Sequence, residues 1–158
     1  MRKVISNTTP LIALANIGHL ELLHKLYERI IIPQAVMDEV ISEPAKSLIK
    51  NSSWIHVEQI KDTSKKTFYR ARLHAGEVEV MILAQEQNAD LVIMDDNTAK
   101  KTAKFMGLNV TGTLGVLLRA KKEGYIDLIE PIINELINDG LYVSDVVREY
   151  VLKEAGEL

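Results

Sequence analysis

Residues 91–113, LVIMDDNTAKKTAKFMGLNVTGT, decide the fold. A short apolar run, Leu91 to Met94, ends in two adjacent carboxylates, Asp95 and Asp96. A basic segment with helical spacing follows, closed by Gly107. A second short run, Val110-Thr111, leads into Gly112-Thr113. Strand, helix and strand in this order read as a βαβ unit, which builds parallel sheet.

The same pattern extends upstream. Val4-Ile5-Ser6 reads as a strand, with Asn7 to Pro10 as its turn into a helix capped by Thr8 or Thr9. Leu11, Leu14 and Ala15, then Leu22, Leu23 and Leu26, keep helical spacing on either side of Gly18. Ile30-Ile31-Ile32 is a second strand, and QAVMDEVISE (34–43) a helix that Pro44 ends or kinks. Trp54 to Val57 suits a third strand, and 62–72 a polar surface turn of helix. HAGEVEVMILAQEQ (74–87) is a helix with one inward apolar stripe. Downstream, Thr98–Met106, a helix capped by Thr113 and running to Lys122, 126–138 and 144–155 complete the pattern, with Ser144 an N-cap.

Short apolar strands alternating with helices predict an α/β fold whose central parallel sheet is covered on both faces. The 158 residues suit a single domain, 1–158, with a sizeable core. No repeat, low-complexity tract or linker interrupts it. With 47% apolar and 26% charged residues the composition is that of a soluble globular protein. A net charge of −3 means that nucleic acid would be met by a local patch, not by the whole surface. The absence of cysteine excludes disulfides, thiolate metal sites and Cys nucleophiles. No run of about 18 apolar residues is present, so no membrane span is expected and the cytoplasm is the expected compartment. There is no P-loop, no G-x-G-x-x-G and no G-x-S-x-G, which leaves nucleotide-dependent and serine-hydrolase chemistry without support.

Parallel sheets gather function at the carboxyl ends of their strands. Asn7, Asp95, Asp96 and Thr111 lie just beyond such ends, Glu39 follows the second strand, and Glu77 opens the long helix after Gly76. Hard oxygen donors around one cleft suit Mg²⁺ or Mn²⁺, which hold phosphates and activate water. Each position also has a structural reading. Glu77 at a helix start favours the helix dipole, Glu39 fits a solvated face beside Asp38, and Asp95 or Asp96 fits a helix cap.

Four segments in order, VISNTTPLIALANIGHLELL, IIIPQAVMDEV, HAGEVEVMILAQEQ and LVIMDDNTAKKTAKFMGLNVTGTLGVLLRAKKEG, resemble the PIN domain superfamily, which includes the VapC-type toxin ribonucleases. The resemblance spans about residues 3–155, closest to a prokaryotic branch of predicted nucleic-acid-binding proteins. It implies a three-layer α/β/α sandwich with a parallel sheet of four to five strands, and an acidic cluster binding Mg²⁺ or Mn²⁺. Carried over by position, the metal-binding and catalytic residues are Asn7, Glu39, Glu77 and Asp95 or Asp96. It implies an RNA-cleaving enzyme, most similar to the toxin of a toxin–antitoxin pair, with an antitoxin as partner. Asn7 departs from the usual Asp; its amide oxygen ligates a cation but brings no charge, which favours the alternative of a degenerate module binding RNA or a protein. Thr8, Thr111 and Thr113 are placed to position water or phosphate. Lys100, Lys101 and Lys104, with Arg119, Lys121 and Lys122, are candidates for the RNA backbone or simply solvated helix faces. Lys66, Arg70 and Arg72 around Phe68 and Tyr69 offer a basic-aromatic mix or a surface helix with core aromatics. His74, three residues before Glu77, is a ligand, a base or a loop residue. The apolar helices near 11–26 and 126–138 suggest a homodimer.

Overall fold

The computed structural model of the chain describes residues 2–66 and 73–158. Its strands are β1 (Val4–Ser6), β2 (Ile30–Pro33), β3 (Ile55–Glu58), β4 (Leu91–Ile93) and β5 (Val110–Thr111). Between β1 and β2 lie α1 (Thr8–Asn16) and α2 (Glu21–Tyr27); between β2 and β3 lie α3 (Gln34–Glu39) and α4 (Ala45–Asn51). A 3-10 turn (Thr63–Lys65) precedes α5 (Ala75–Gln87), and α6 (Asn97–Phe105) joins β4 to β5. The chain ends in α7 (Thr113–Lys122), α8 (Glu130–Asn138) and α9 (Asp145–Glu154).

All five strands are parallel, in the order β3-β2-β1-β4-β5. Helices cover the sheet in a three-layer α/β/α arrangement. Every residue of β1, β2 and β4 is buried, which is what uninterrupted apolar runs such as IIIP and LVI require. β3 is an edge strand and is only half-buried. The sheet grows outward from β1 through β2 to β3, then returns to the other side of β1 for β4 and β5. The reversal falls between β1 and β4, and a doubly wound sheet opens its ligand crevice at that point, beyond the strands' carboxyl ends. Ser6 of β1 pairs with Ile93 of β4, so Asn7 and the Asp95–Asp96 pair emerge side by side there. The Asn7 N–H donates to the Ile93 carbonyl at 2.8 Å and fixes that corner.

Several boundaries differ from those the sequence predicts. The helix expected over 34–43 stops at Glu39, and Val40 is extended. Two consecutive β-branched residues, Val40 and Ile41, with Pro44 close behind, disfavour further helix. The helix expected from 126 begins at Glu130, with Pro131 in its first turn. Residue 112, not Thr113, occupies the cap position of α7, and neither Thr8 nor Thr9 caps α1. Ser144 does cap α9, accepting from the Val147 N–H at 3.2 Å. α5 carries no single stripe: Gly76 to Ala84 are all buried, because the helix lies between the sheet and α3. The apolar faces of the 11–26 and 126–138 segments are taken up by the core, where Leu11, Leu14, Leu23, Ile133 and Leu136 are buried. Leu128 and Ile137 remain exposed on the second segment. Phe68, Tyr69, Arg70 and Arg72 lie outside the described residues. Lys66 forms an ion pair with Glu79 at 3.0 Å.

Candidate metal centre

The switch-point corner collects four of the expected donors by way of four different elements. Asn7 follows β1 and is nearly buried, 5% exposed. Its carboxamide Oδ1 has no hydrogen-bond partner among the described residues. A buried acceptor left without a donor costs about 1–3 kcal/mol, so such an atom points to a missing positive partner.

Glu39 ends α3, and two donors hold its carboxylate. The Thr8 hydroxyl donates to Oε1 at 2.5 Å, and the Gly76 N–H donates to Oε2 at 2.9 Å. Thr8 therefore orients a carboxylate directly. The contact with Gly76 is close enough to dictate the residue type. A Cβ on Gly76 would collide with Glu39 Oε1 and come within 2.9 Å of its Cδ. In the sequence Gly76 stands out only as the residue before Glu77. Its signal is the helix-weakening glycine in the first turn of an otherwise strong helix, a substitution that needs a packing reason.

Glu77 lies one residue further and is also nearly buried, 5% exposed. Its Oε1 accepts the His74 N–H at 2.9 Å, and His74 occupies the cap position of α5. Burial raises the Glu77 pKa; the His74 hydrogen bond opposes the rise, and the charges of Asp96 and Glu39 add to it. The carboxyl thus senses both other acids across the corner. Like charges gathered in a partly dry site repel, and a cation is the usual remedy.

The adjacent acids of the 91–113 stretch divide their work. Asp95 is turned toward α7: its Oδ1 accepts the Thr113 N–H at 2.8 Å and its Oδ2 the Thr113 hydroxyl at 2.6 Å. Thr113 is fully buried, so its hydroxyl secures Asp95 and does not reach RNA. Asp96 caps α6, its Oδ2 accepting the Ala99 N–H at 2.9 Å. Asp96 also is the acid whose charge acts on Glu77. In extended backbone neighbouring side chains point to opposite sides, which accounts for the split.

Among the described residues, no three His, Cys, Asp or Glu side chains converge on one point. The donors are all oxygen, with the neutral Asn7 amide among them, so the residue set fits a hard divalent ion and not zinc or copper.

The basic residues separate into engaged and free groups. The Lys100 ammonium lies beside Gly112, where an added Cβ would come within 2.7 Å of it and of Asp95 Oδ1 alike. Lys101 and Lys104 are exposed on α6. Lys121 is committed to the chain's end, donating to the Ala155 carbonyl at 2.6 Å and to Glu157 at 2.8 Å. Glu157 also accepts the Ile129 and Glu130 N–H groups, at 2.7 and 3.0 Å. This latch and the buried Glu79, whose Oε1 accepts the Ala35 N–H at 3.0 Å, are structural acids that periodicity alone does not distinguish from solvated ones. No described helix is long and apolar enough to cross a membrane.

Against family models, residues 3–157 match DUF3368, described as a PIN domain. The chain belongs to this PIN-domain family, and its fold is of the nuclease type. PIN domains generally use divalent metal ions and act on nucleic acid, which agrees with the oxygen-rich corner. No curated protein matches the chain.

Proposed function

We propose that this PIN domain, residues 1–158 acting as one unit, is a Mg²⁺- or Mn²⁺-dependent endoribonuclease. The observation that carries the reading is the buried, unpartnered Asn7 Oδ1 at the switch point, beside Glu39, Glu77 and Asp96. When bound there, a divalent ion supplies charge neutralisation at the scissile phosphate and lowers the pKa of a water.

The chain's own residues prepare that corner. Asn7 offers a fixed neutral oxygen, its backbone held to β4. Thr8 and the Gly76 N–H aim Glu39, and the His74 N–H keeps one Glu77 oxygen occupied. Asp96 has one oxygen on the α6 cap and the other without a hydrogen bond among the described residues. Asp95 acts through position: by gripping Thr113 it fixes β5 and α7 against the site. Lys100, with Lys101 and Lys104 further along α6, supplies positive charge for the RNA backbone. The resemblance to VapC-type toxins extends the reading to a cytoplasmic, homodimeric toxin restrained by an antitoxin.

A second reading is favoured by the same Asn7, which brings no charge to the corner: a module that binds RNA or a partner protein without cutting. One experiment separates the two. Mn²⁺ and Mg²⁺ binding is measured by calorimetry on the wild type, Glu77→Gln, Asp96→Asn and Asp95→Asn, with cleavage of a fluorescent RNA followed on the same samples. Metal-dependent cutting lost with Glu77→Gln and Asp96→Asn is the expected result. Binding without cutting supports the module, and no binding at millimolar metal refutes the metal centre.

A further inference from the structure

We propose that a groove beside β5 is a second nucleic-acid site, which holds one nucleotide of a single-stranded RNA. The groove stands on its own residues and not on the nuclease reading.

The groove encloses about 300 Å³ between the end of α2, the start of β4, and the β5–α7 connection. That volume is at the small end of the ligand-site range of about 300–1,000 Å³, suited to one nucleotide and not to a longer segment. Three cations line it, Arg2, Arg119 and Lys122, and no acid does. Arg119 shares its charge with Glu123 at 3.2 Å. Arg2 and Lys122 form no ion pair among the described residues, so two full charges face the opening without a counterpart. A single acid thus stands against three cations in a chain of net charge −3, and the local sign is opposite to the global one.

The walls suit a base. The Arg2 guanidinium lies 5.8 Å over the Tyr27 ring, a supported plane whose outer side is open. Bases of single-stranded RNA stack on such guanidinium planes. Leu91 and Leu118 add an apolar wall. The concavity depends on Gly115: an added Cβ there would collide with the Thr111 hydroxyl, so glycine lets α7 settle on β5 and leaves the floor open.

The groove lies toward the amino end of the sheet, away from the corner: Arg2 precedes β1, Leu91 opens β4 and Lys122 ends α7, while Thr111 and Gly115 form its floor. It is therefore a place of its own and not an extension of the carboxylate cluster.

The test is anisotropy of a fluorescein-labelled eight-nucleotide single-stranded RNA, titrated with protein in EDTA over a salt series. Wild type is compared with the Arg2→Ala/Lys122→Ala double variant and with Lys122→Glu. Circular dichroism and Mn²⁺ calorimetry on each variant verify that the fold and the corner are intact. The expected result is an affinity about tenfold lower for the double variant and a salt slope flatter by about 0.7, the one phosphate contact of Lys122, with Arg2 lost as a stacking plane. Lys122→Glu falls further. RNA affinity equal to wild type in both groove variants overturns the proposal while leaving the metal centre standing, as does the absence of any RNA binding by wild type. Loss of RNA affinity in the groove variants without metal-dependent cutting keeps the groove and removes the nuclease reading. AMP bound as tightly as the oligonucleotide would make this a free-nucleotide pocket and also overturn the proposal.

Discussion

Replacing Asn7 by Asp restores the charge that PIN nucleases usually carry at this position, and its consequences are opposite with and without metal. In EDTA the new carboxylate is almost as buried as Asn7, which is 5% exposed. It has no donor waiting for it, since Asn7 Oδ1 is unpartnered. It joins a corner where Glu77 already responds to Asp96 and Glu39. A buried charge without a partner costs roughly 2–4 kcal/mol. In a domain of this size 1 kcal/mol shifts Tm by about 2–4 °C, so the variant should melt about 5–10 °C below wild type. With a divalent ion the sign reverses. Coulomb attraction between a carboxylate and a divalent ion at about 4 Å in an effective dielectric near 20 is about 8 kcal/mol, and the burial cost together with dehydration of the ion takes back most of it. A net gain of about 1–2 kcal/mol remains, roughly tenfold in affinity. Saturating Mn²⁺, at about 100 times its Kd, returns about 2.7 kcal/mol and with it most of the lost Tm. Differential scanning fluorimetry across a Mn²⁺ series, paired with calorimetry, reads both quantities. A variant that melts with wild type in EDTA and gains no more from Mn²⁺ than wild type does would refute the placement of Asn7 Oδ1 toward a cation.

Three further outcomes follow from the same geometry. Gly76→Ala forces its Cβ into Glu39 and should lower stability by about 1–3 kcal/mol by overpacking, with weaker Mn²⁺ binding; a urea curve like wild type's would mean that Glu39 has another place to go. Glu77 has a native pKa above its ordinary value near 4.5, so its charged form is disfavoured by folding: the penalty is absent below about pH 4.5 and grows as pH rises through the native value. Glu77→Gln should therefore stabilise the metal-free protein at pH 7 and not at pH 4, and an equal effect at both would contradict the burial of that charge. Glu157 is the reverse case. Burial acts to raise its pKa, but the Ile129 and Glu130 N–H groups and Lys121 outweigh it and the net shift is downward. Its contribution is present above about pH 4.5 and lost as pH falls through the native value. Glu157→Ala should cost about 2–3 kcal/mol at pH 7, read from urea denaturation, with less effect in acid.

The fold was legible because parallel strands announce themselves. VIS, IIIP and LVI are uninterrupted apolar runs, each followed by a turn into a helix, and nothing else in the chain competes with them. Their ends then located Asn7 and the Asp95–Asp96 pair without any knowledge of strand order. Other features were not legible because they depend on contacts between distant segments. α3 is shorter than its amphipathic pattern, since the approach to Pro44 overrides propensity. Glu79 and Glu157 look like solvated acids in sequence, yet each satisfies N–H groups from another helix, 44 and 28 residues away. Thr113 looks like a helix cap until its hydroxyl is seen to be claimed by Asp95.

The two adjacent acids at the end of β4 illustrate how a sheet assigns roles that composition leaves equal. Strand alternation sends Asp95 toward β5 and α7 and Asp96 toward α6 and Glu77. Each oxygen of one carboxylate accepts a bond from Thr113, and the other carboxylate keeps an oxygen without a hydrogen bond among the described residues. The first binds a helix into place, and the second shares a field with Glu39 and Glu77. Asn7→Asp adds a further charge to the acids that Glu77 already senses. The neutral amide at Asn7 and the Thr113 bonds to Asp95 act in the same direction: both limit the uncompensated negative charge that the corner carries when folded without a cation. The Mn²⁺ dependence of Tm in wild type and Asn7→Asp measures how far that balance has been moved toward a stable apo protein.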